Sequence, residues 1–452
     1  MAKVLLVNPH EDIRDRNKKV LSFTPLSLVY LGTAIEDKHE VKIYDRNLYN
    51  NDERYVNFLK NYNPDIVGFT SVVSTMLYDL MHLGKLTKKT LPKAIIIIGG
   101  VQATVDPDTI LNEPYVNYVM RGEGEEALLE FCDTFDKNPK KLGKLNNINK
   151  NPLRQLVDMN KLKLPNYDLL ELDKYEKFYV NLSRGCIGNC KFCYNVQMWG
   201  RKGNPCVRAY STEKAIELFK TVVEKHKKKV FWIVDDNFLF FKSRCIEICK
   251  FLEKYKIHFW APSRADCINE EILTALKRAG CHTIAIGIES GSQRILDLLN
   301  KRVSVQQNIN AIKLCKKYGM TVDALMMVGL PTETLEELRE TVDFIKTYKP
   351  EIASIHMYNP LPSELHDYCI EKGLLKKPES LEDWANFGGL FKSSNNVSNI
   401  PDEKLKEAVK ELENYRFFRK NLTRLWLWLK YGEIRYIIRT TTRVLKRRFL
   451  NE

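Results

Sequence analysis

The sequence lacks the features that mark secreted and membrane-spanning proteins. Its 452 residues contain no apolar run that approaches the roughly 20 residues of a membrane-spanning helix. The N-terminal segment MAKVLLVNPH has neither the long apolar stretch nor the small-residue cleavage site of a signal peptide. We therefore expect a cytoplasmic protein whose thiols are kept reduced. Internal repeats and low-complexity tracts are also absent, and 44% apolar with 28% charged residues is typical of a folded chain.

A cysteine framework and a uniformly basic surface are missing too. The 11 cysteines are odd in number, so we interpret them as thiols or metal ligands rather than as disulfides. The formal net charge is +14, but residues 401–452 hold 14 Lys+Arg against 7 Asp+Glu and so carry half of the excess. The rest of the chain is only mildly basic, which argues against nucleic acid as a partner.

The length favours two or three domains, and the first alternation of apolar runs with helical patterns covers residues 1–135. Continuous apolar runs predict strands buried on both faces of a parallel sheet. We therefore predict a Rossmann-like, flavodoxin-like α/β domain with a doubly wound parallel sheet. The predicted strands cover residues 4–7, 41–44, 66–69, 94–98 and 116–119.

A polar stretch over residues 136–175 is predicted to be a linker, and a second alternation follows over 176–375. Its six strand candidates are too few for a closed eightfold barrel. They predict a partial (β/α)6 TIM-like barrel, and residues 376–452 are predicted to form a C-terminal helical region with a basic amphipathic tail. The strand candidates cover residues 178–182, 230–234, 257–261, 283–288, 321–327 and 352–357.

Three cysteines, Cys186, Cys190 and Cys193, follow the first strand of the second region with the spacing C-x3-C-x2-C. Gly185 and Gly188 let the backbone curl, so that the three thiolates can converge on one centre. Thiolates are soft ligands that suit iron–sulfur clusters or zinc. Because an iron–sulfur cubane normally takes four thiolates, three would leave one iron open for a substrate or cofactor.

Two alternatives stay open on the residues alone: three buried structural thiols, or a zinc site completed by a distant fourth ligand. Zinc motifs usually come in two C-x2-C-like halves, and no second half follows downstream. Cys245 and Cys249 lie on an apolar helical pattern and are predicted to pack in the core. Cys206, in a loop 13 residues past the cluster, is a weaker candidate for a secondary catalytic role.

This cysteine loop, with Phe192 before the third cysteine, resembles the signature of the radical S-adenosylmethionine (SAM) superfamily. The resemblance covers about residues 176–375 and implies that Cys186, Cys190 and Cys193 hold a [4Fe–4S] cluster, with SAM on the remaining iron. Reductive cleavage of SAM would yield a 5′-deoxyadenosyl radical. Matches at the ends of later strands imply that Phe192, Asp235, Asp236, Glu289, Ser290 and Gly329 contribute to SAM binding.

Residues 1–135 resemble the cobalamin-binding domain of one large branch of this superfamily. Most of the matching pieces follow predicted strands, where doubly wound sheets bind ligands. The glycine pair after the fourth strand would let the macrocycle or its nucleotide tail approach the backbone. The resemblance implies a cobalamin-binding set of Asn8, Pro9, Thr70, Ser71, Gly99, Gly100, Gln102, Gly122, Glu123 and Gly124.

Two departures from that pattern concern the corrin. The D-x-H-x-x-G motif that gives cobalt a histidine ligand is replaced by Asp79 and His82 at the wrong spacing, so we expect cobalamin without a protein histidine ligand. Many relatives have histidine where Gln102 stands. A degenerate domain without cobalamin is the alternative, and nucleotide binding is disfavoured because G-x-G-x-x-G is absent after the first strand.

The basic tail over residues 421–450 combines Trp426 and Trp428 with an apolar face and an adjacent stripe of Arg and Lys. This pattern is typical of a helix that lies in a membrane interface, and it predicts peripheral contact with the inner membrane face. Packing of the same apolar face on the barrel is the alternative.

Together the two resemblances imply an anaerobic, cobalamin-dependent radical SAM enzyme, similar to the class B methyltransferases and to the anaerobic cyclases. They favour transfer of a methyl group from methylcobalamin to an unactivated carbon, or to phosphorus, of a small-molecule or lipid substrate. The electron donor would be a protein such as flavodoxin or ferredoxin. The alternatives are a radical cyclase or rearrangement enzyme and, from a different class, a metal- or cobalamin-binding carrier or sensor without catalysis.

Overall fold

A computed structural model of the protein describes residues 1–11, 22–72, 74–199, 206–387 and 396–412. The first sheet is built from β1 (Lys3–Asn8), β2 (Glu40–Asp45), β3 (Ile66–Thr70), β4 (Ile95–Gly99) and β5 (Tyr118–Met120). Its strands are all parallel and follow the order β2-β1-β3-β4-β5. This is the flavodoxin-like order, so the predicted fold of the N-terminal region is confirmed.

Helices pack on both faces of the first sheet, which is why its strands are continuous apolar runs. The helices are α1 (Leu26–Ile35), α2 (Asp52–Tyr62), α3 (Leu77–Thr90), α4 (Val101–Val105), α5 (Pro107–Leu111) and α6 (Glu125–Lys137). The strand order reverses at β1, which pairs with β2 on one side and with β3 on the other. A crevice at the carboxyl ends of the strands is expected beside such a reversal.

Among the described residues, eight further strands follow from residue 179 onward. They are β6 (Tyr179–Val180), β7 (Ser183–Arg184), β8 (Arg208–Ala209), β9 (Val230–Ile233), β10 (His258–Ser263), β11 (Cys281–Glu289), β12 (Thr321–Val328) and β13 (Ile352–Met357). Six of them form a parallel sheet in the order β13-β12-β11-β10-β9-β6, while β7 and β8 pair antiparallel. The predicted partial barrel is confirmed, with every strand candidate in place.

Helices follow the barrel strands and cover the outer face of the sheet. They are α7 (Asn195–Trp199), α8 (Thr212–Lys220), α9 (Lys242–Leu252), α10 (Glu270–Arg278), α11 (Gln293–Leu298), α12 (Val305–Lys317), α13 (Leu335–Tyr348), α14 (Glu364–Glu371) and α15 (Leu381–Phe387). Capping boxes that begin at Ser304 and Thr334 fix the start of α12 and α13. As predicted, Cys245 and Cys249 are buried in this core.

The chain returns to the first sheet after the barrel. Leu381, Trp384 and Ala385 of α15 pack in the hydrophobic core beside α2 and α3, and the Trp384 indole donates to Asp106 Oδ2 at 2.6 Å. Residues 421–450, for which we predict an amphipathic tail, lie outside the described residues. Among those that are described, no helix is both long and apolar enough to cross a bilayer.

Candidate functional site

The carboxyl ends of the two sheets border one cavity with a volume of about 320 Å³. From the first sheet it is lined by Thr70, Gly99, Gly100, Gly122, Glu123 and Gly124. From the barrel side it is lined by Asn181, Ser183, Arg184, Tyr194, Asn195 and Asp236. The cavity therefore joins the predicted cobalamin side to the loop that carries the cysteines.

The cysteine loop runs from β7 to α7 and depends on two glycines. Gly185 has φ +87°, and a Cβ there would lie 1.7 Å from the carbonyl oxygen of Cys206, so only glycine fits. A Cβ on Gly188 would lie 3.4 Å from Cys190 Sγ and 3.5 Å from Cys186 Sγ. Glycine at this position therefore keeps the space between the two sulfurs open.

In the absence of metal, the buried thiols of this loop do not ionise readily. Burial raises the pKa of Cys190 and raises the pKa of Cys193 to about 12. Such thiols keep their protons near neutral pH until a metal ion displaces them. Three soft donors on one loop fit a [4Fe–4S] cluster with one open iron. Within the described residues, no three Cys, His, Asp or Glu side chains surround the position of a single ion.

Asp236 braces both ends of the cysteine loop. Its carboxylate accepts a hydrogen bond from the backbone N–H of Gly185 at 2.7 Å and another from the side-chain amide of Asn195. Gly185 precedes the three cysteines in the sequence and Asn195 follows them. We interpret Asp236 from the sequence as a group that holds the SAM ammonium. The structure places it after β9 as expected, with both oxygens engaged by the loop.

Asp235 has a similar bracing position one residue earlier. It accepts from the backbone N–H of Leu182 at 2.6 Å and from the hydroxyl of Ser183 at 2.5 Å. Burial raises the pKa of Asp235 to about 6, and these hydrogen bonds oppose the rise. Its carboxylate therefore holds the chain between β6 and β7 in this structure.

Glu289 lies at the end of β11, where the register with β12 shifts between Gly287 and Glu289. Its φ is +66°, a left-handed conformation that is uncommon outside glycine. The turn brings Glu289 Oε1 within 2.7 Å of Lys301 Nζ, and both residues are buried. Strained backbone of this kind is concentrated at ligand sites, and it fixes the direction of the carboxylate.

Ser290 and Gly329 occupy the turns after β11 and β12. Ser290 is fully buried, and its hydroxyl pairs with that of Thr341 at 3.1 Å. Gly329 has φ +73°, and its N–H donates to Glu333 Oε2 at 2.6 Å. In this structure the buried Ser290 hydroxyl stabilises the turn after β11, and the Glu333 carboxylate stabilises the turn at Gly329. Phe192 packs beside them against a small apolar cluster under α14.

The first sheet supplies a cradle that suits a flat macrocycle with a tail. Gly100 has φ +104°, and a Cβ there would lie 2.8 Å from the carbonyl oxygen of Ser71. The apolar part of the cavity lining includes Gly68 on the sheet and Leu31 and Leu128 on the helices. The backbone without side chains at Gly100 and this apolar lining suit cobalamin and its nucleotide tail.

Four residues of the predicted cobalamin set lie outside the cavity lining. Asn8 donates to Asp45 Oδ1 at 3.0 Å, and Pro9 follows it directly after β1. Ser71 is fully buried, and its hydroxyl donates to the carbonyl of Gly99 at 2.8 Å. Gln102 is also buried, and its backbone N–H donates to the Ser71 carbonyl at 3.1 Å. Ser71 and Gln102 therefore support the glycine pair, whereas Asn8 and Pro9 have no contact with the lining among these hydrogen bonds.

His82 lies on α3, away from the cavity lining. Its Nε2 is 2.9 Å from Asp52 Oδ2, so the ring has a hydrogen-bond partner outside the cavity lining. It is therefore a helix residue, as its spacing predicts.

A buried ion cluster in the cavity wall was not predicted from the sequence. Arg184 donates to Glu123 at 2.6 Å and to Glu125 at 2.5 Å, and Arg208 donates to Glu123 at 2.8 Å. Neighbouring cations lower the pKa of Glu125 despite its burial. The three pairs join residues 59, 61 and 85 positions apart, between the two sheets. The one signal in the sequence is an arginine two residues before the first cysteine of the motif.

Two family models match the chain. The model of the Radical SAM superfamily matches residues 180–345, and that of the B12 binding domain matches residues 18–131. The first covers the cysteine loop and most of the barrel strands, whereas the second covers β2 to β5 of the first sheet and leaves out β1. Each matched region therefore borders the same cavity.

Two relatives and one solved structure are similar over much of the chain. An uncharacterised methyltransferase of Pyrococcus horikoshii is 34% identical, over 82% of this chain and 84% of its own. An anaerobic magnesium-protoporphyrin IX monomethyl ester cyclase of Rubrivivax gelatinosus is 26% identical, over 66% of this chain and 57% of its own. The radical SAM methyltransferase TsrM of Kitasatospora setae, solved with cobalamin and a [4Fe–4S] cluster, has a TM-score of 0.72 at 15% identity. That match covers 92% of this chain and 89% of the other, and it shows a shared fold.

Proposed function

This chain belongs to the cobalamin-binding branch of the radical SAM superfamily, and from that membership we propose that it is a methyltransferase that acts on a small molecule. The single observation that supports this most is the shared cavity. The B12-binding sheet and the cysteine loop open onto the same space, so that a methyl carrier and a radical source would meet one substrate there.

The chain's own residues have distinct parts in this proposal. Cys186, Cys190 and Cys193 hold the cluster, and Glu289 with the turns at Ser290 and Gly329 forms the SAM site beside it. Asp236 keeps the loop in shape through its bonds to both ends. When bound, the cluster and SAM supply a 5′-deoxyadenosyl radical, and cobalamin carries the methyl group.

On the opposite wall the B12-binding region, which we assign to residues 1–135, offers the glycine cradle. Thr70, Gly99, Gly100 and the 122–124 turn face the cavity, while Ser71 and Gln102 support the glycine pair from outside the lining. Asn8 and Pro9 stay predictions for cobalamin binding, since they lie outside the lining. We assign residues 136–175 to the linker, 176–375 to the radical SAM barrel and 376–452 to the C-terminal region.

A radical cyclase or rearrangement enzyme is the second candidate, because one relative carries a cyclase name. The two functions differ in how SAM is consumed. A methyltransferase of this kind uses one SAM as methyl donor and another as radical source, so it forms S-adenosylhomocysteine as well as 5′-deoxyadenosine. A cyclase needs SAM only as the radical source and forms 5′-deoxyadenosine without S-adenosylhomocysteine.

The test is anaerobic reconstitution of the full chain with iron, sulfide and cobalamin, followed by dithionite and SAM. We expect both products, together with the optical change of cobalamin on methylation. The triple variant Cys186→Ala, Cys190→Ala, Cys193→Ala should form no 5′-deoxyadenosine, whereas the matched control Cys315→Ala, at a buried position of α12, should keep it. Formation of 5′-deoxyadenosine alone would favour the cyclase, and binding without either product would favour a carrier or sensor.

The partners belong to the proposal as well. The reductant would be a flavodoxin or ferredoxin, in an anaerobic cytoplasm, and the substrate a small molecule or a lipid. A lipid substrate would give residues 421–450 a purpose as a peripheral membrane contact. Co-sedimentation with anionic liposomes tests this contact: the intact chain should pellet more than the variant Trp426→Ser, Trp428→Ser. Equal pelleting of the two proteins would contradict it.

A further inference from the structure

Two buried cations stand beside the cysteine loop, and the roles assigned above use neither. Lys301 is 5% exposed and Arg264 is 6% exposed. Charged side chains are rarely buried to this extent unless they serve a structural pair or a charged ligand. Their surroundings show which of these they serve.

Two hydrogen bonds connect the loop that carries Lys301 to the cysteine loop. Lys191, between the second and third cysteines, donates its backbone N–H to the carbonyl of Leu299 at 3.0 Å. The side-chain amide of Asn300 donates to the carbonyl of Asn189 at 2.7 Å. Asn300 has φ +51°, so the backbone is bent to make this contact. Lys301 is therefore held at a fixed place relative to the sulfurs.

Arg264 completes the same arrangement from the end of β10. Its Nη2 donates to the carbonyl of Lys301 at 3.0 Å, which links the two cations. A Cβ on Gly188 would lie 2.9 Å from Arg264 Nη1, so the guanidinium touches the cysteine loop at the glycine between Cys186 and Cys190. The arginine thus lies against the cysteine loop between its first two cysteines.

Each cation has a carboxylate partner, but the partner of Arg264 lies on a different edge of the guanidinium from the cysteine loop. Lys301 Nζ is 2.7 Å from Glu289, and Arg264 is 2.9 Å from Asp266. Asp266 accepts from Nε and Nη2 of Arg264, whereas Nη1 is the atom that lies against Gly188. The carboxylate therefore does not stand between the guanidinium and the cysteine loop.

We propose that Lys301 and Arg264 set the reduction potential of the cluster held by Cys186, Cys190 and Cys193. The inference rests on the proposed function in assuming that cluster. A [4Fe–4S]2+ core with three thiolates carries a net charge of −1, and one electron from the external donor takes it to −2. No bond forms or breaks in that step. Fixed positive charge in a buried site favours the more negative state, and net local charge is a known control of cluster potential.

Both side chains act through the cluster and are positioning residues. The alternative is a purely structural role, in which the two side chains only fill space and tie the loops together. The two roles differ in their response to charge. If the charge matters, the midpoint shifts with Lys301→Met and returns with Lys301→Arg, although both variants change the packing.

The test is redox titration of the reconstituted full chain without SAM or cobalamin, followed by electron paramagnetic resonance (EPR) of the reduced cluster. At a fixed potential, we expect Lys301→Met and Arg264→Gln each to lower the ratio of reduced to oxidised cluster about tenfold, which is 59 mV for one electron. Lys301→Arg should restore most of the ratio. Arg302→Met removes the same charge from an exposed neighbour and should leave the ratio within twofold.

Unchanged ratios in both Lys301→Met and Arg264→Gln would overturn the proposal, even if either variant binds SAM poorly. Iron and sulfide content is measured alongside, and if one variant fails to hold a cluster the other decides. The outcome is independent of methyl transfer, because no SAM, cobalamin or substrate is present. A shifted ratio of reduced to oxidised cluster supports the inference even if methyl transfer is lost. It does so equally if the enzyme proves to be a cyclase.

Discussion

At the residue scale the site depends on a few buried carboxylates that brace backbone. Asp236 bonds to both flanks of the cysteine loop, and Glu333 bonds to the N–H groups of Gly329 and Leu330 at 2.6 and 3.1 Å. Each carboxylate satisfies donors that would otherwise be left unpaired in the interior. The sequence predicted Asp236 as a site residue and Gly329 four residues before Glu333, but only the structure shows which atoms the two carboxylates hold.

Replacing Asp236 should loosen the cysteine loop. Asp236→Ala removes the acceptor of Gly185 and Asn195, and supporting groups of this kind are worth about 10-fold or more in metal affinity. We expect iron and sulfide per chain to fall after reconstitution at limiting iron. Asp173→Ala, at a side chain that is 105% exposed, serves as the control and should keep the content of the unmodified protein. Equal content in the two variants would contradict the bracing role.

Glu333 should make stability depend on pH. Burial raises its pKa from 4.5 to about 7, whereas the same carboxyl in the unfolded chain ionises near 4.5. Between these values the folded state holds the extra proton, so stability falls as the pH rises through the window, by at most roughly 3 kcal/mol.

Glu333→Gln has no proton to lose and removes that dependence. The difference in Tm between the variant and the unmodified protein should therefore move in favour of the variant from about pH 5 to about pH 7.5. Glu336→Gln, at an exposed neighbour, should show no such trend. A pH-independent difference for Glu333→Gln would show that the carboxyl is ionised throughout.

At the element scale, strand ends and the turns after them build the site. The sequence predicted all the strands of both sheets, because buried parallel strands are read from continuous apolar runs. The sequence pattern placed Glu289 at a strand end. It did not predict the register shift beside Gly287 that turns the carboxylate toward Lys301. Such a shift depends on pairing with β12, which is distant in sequence, so local pattern could not reveal it.

Gly287 should be intolerant of a side chain. A Cβ there would lie 2.6 Å from Glu289 Oε1 and 2.7 Å from Lys301 Nζ, so Gly287→Ala would push the pair apart. Because a small misplacement of positioning groups is costly, we expect SAM affinity to fall about tenfold, measured by equilibrium dialysis with the cluster in place. Gly143→Ala is the matched control, since the nearest atom would lie 3.7 Å away, at ordinary contact distance. An unchanged SAM affinity of Gly287→Ala would contradict a positioning role for the register shift.

At the scale of the whole molecule, the two sheets are joined through the wall of the cavity they share. Arg184, Arg208, Glu123 and Glu125 form the buried ion cluster described above, and the Tyr210 hydroxyl donates to that of Tyr30 at 3.0 Å nearby. The family resemblance predicted cobalamin in one region and a cluster with SAM in the other, but it did not predict what holds the regions in register. That contact is long-range in sequence and leaves no periodic signal.

Removing one partner from this cluster should weaken the whole assembly. Glu125→Gln leaves Arg184 partly unpaired, and breaking a buried pair in this way costs about 3–5 kcal/mol. We expect lower stability to denaturant and faster loss of cobalamin on gel filtration. Lys225→Met breaks the pair with Asp168, where both side chains are 57% exposed, and should cost about 0–1 kcal/mol without loss of cobalamin. Similar behaviour of the two variants would rule out a role for the cluster in joining the sheets.

If one cavity holds both cobalamin and the cluster, their unpaired electrons are close enough to interact. EPR of the full chain loaded with both cob(II)alamin and the reduced cluster measures this interaction. We expect each signal to be broadened or split, relative to samples that hold only one centre. A spectrum that is the simple sum of the two separate signals would contradict a shared cavity.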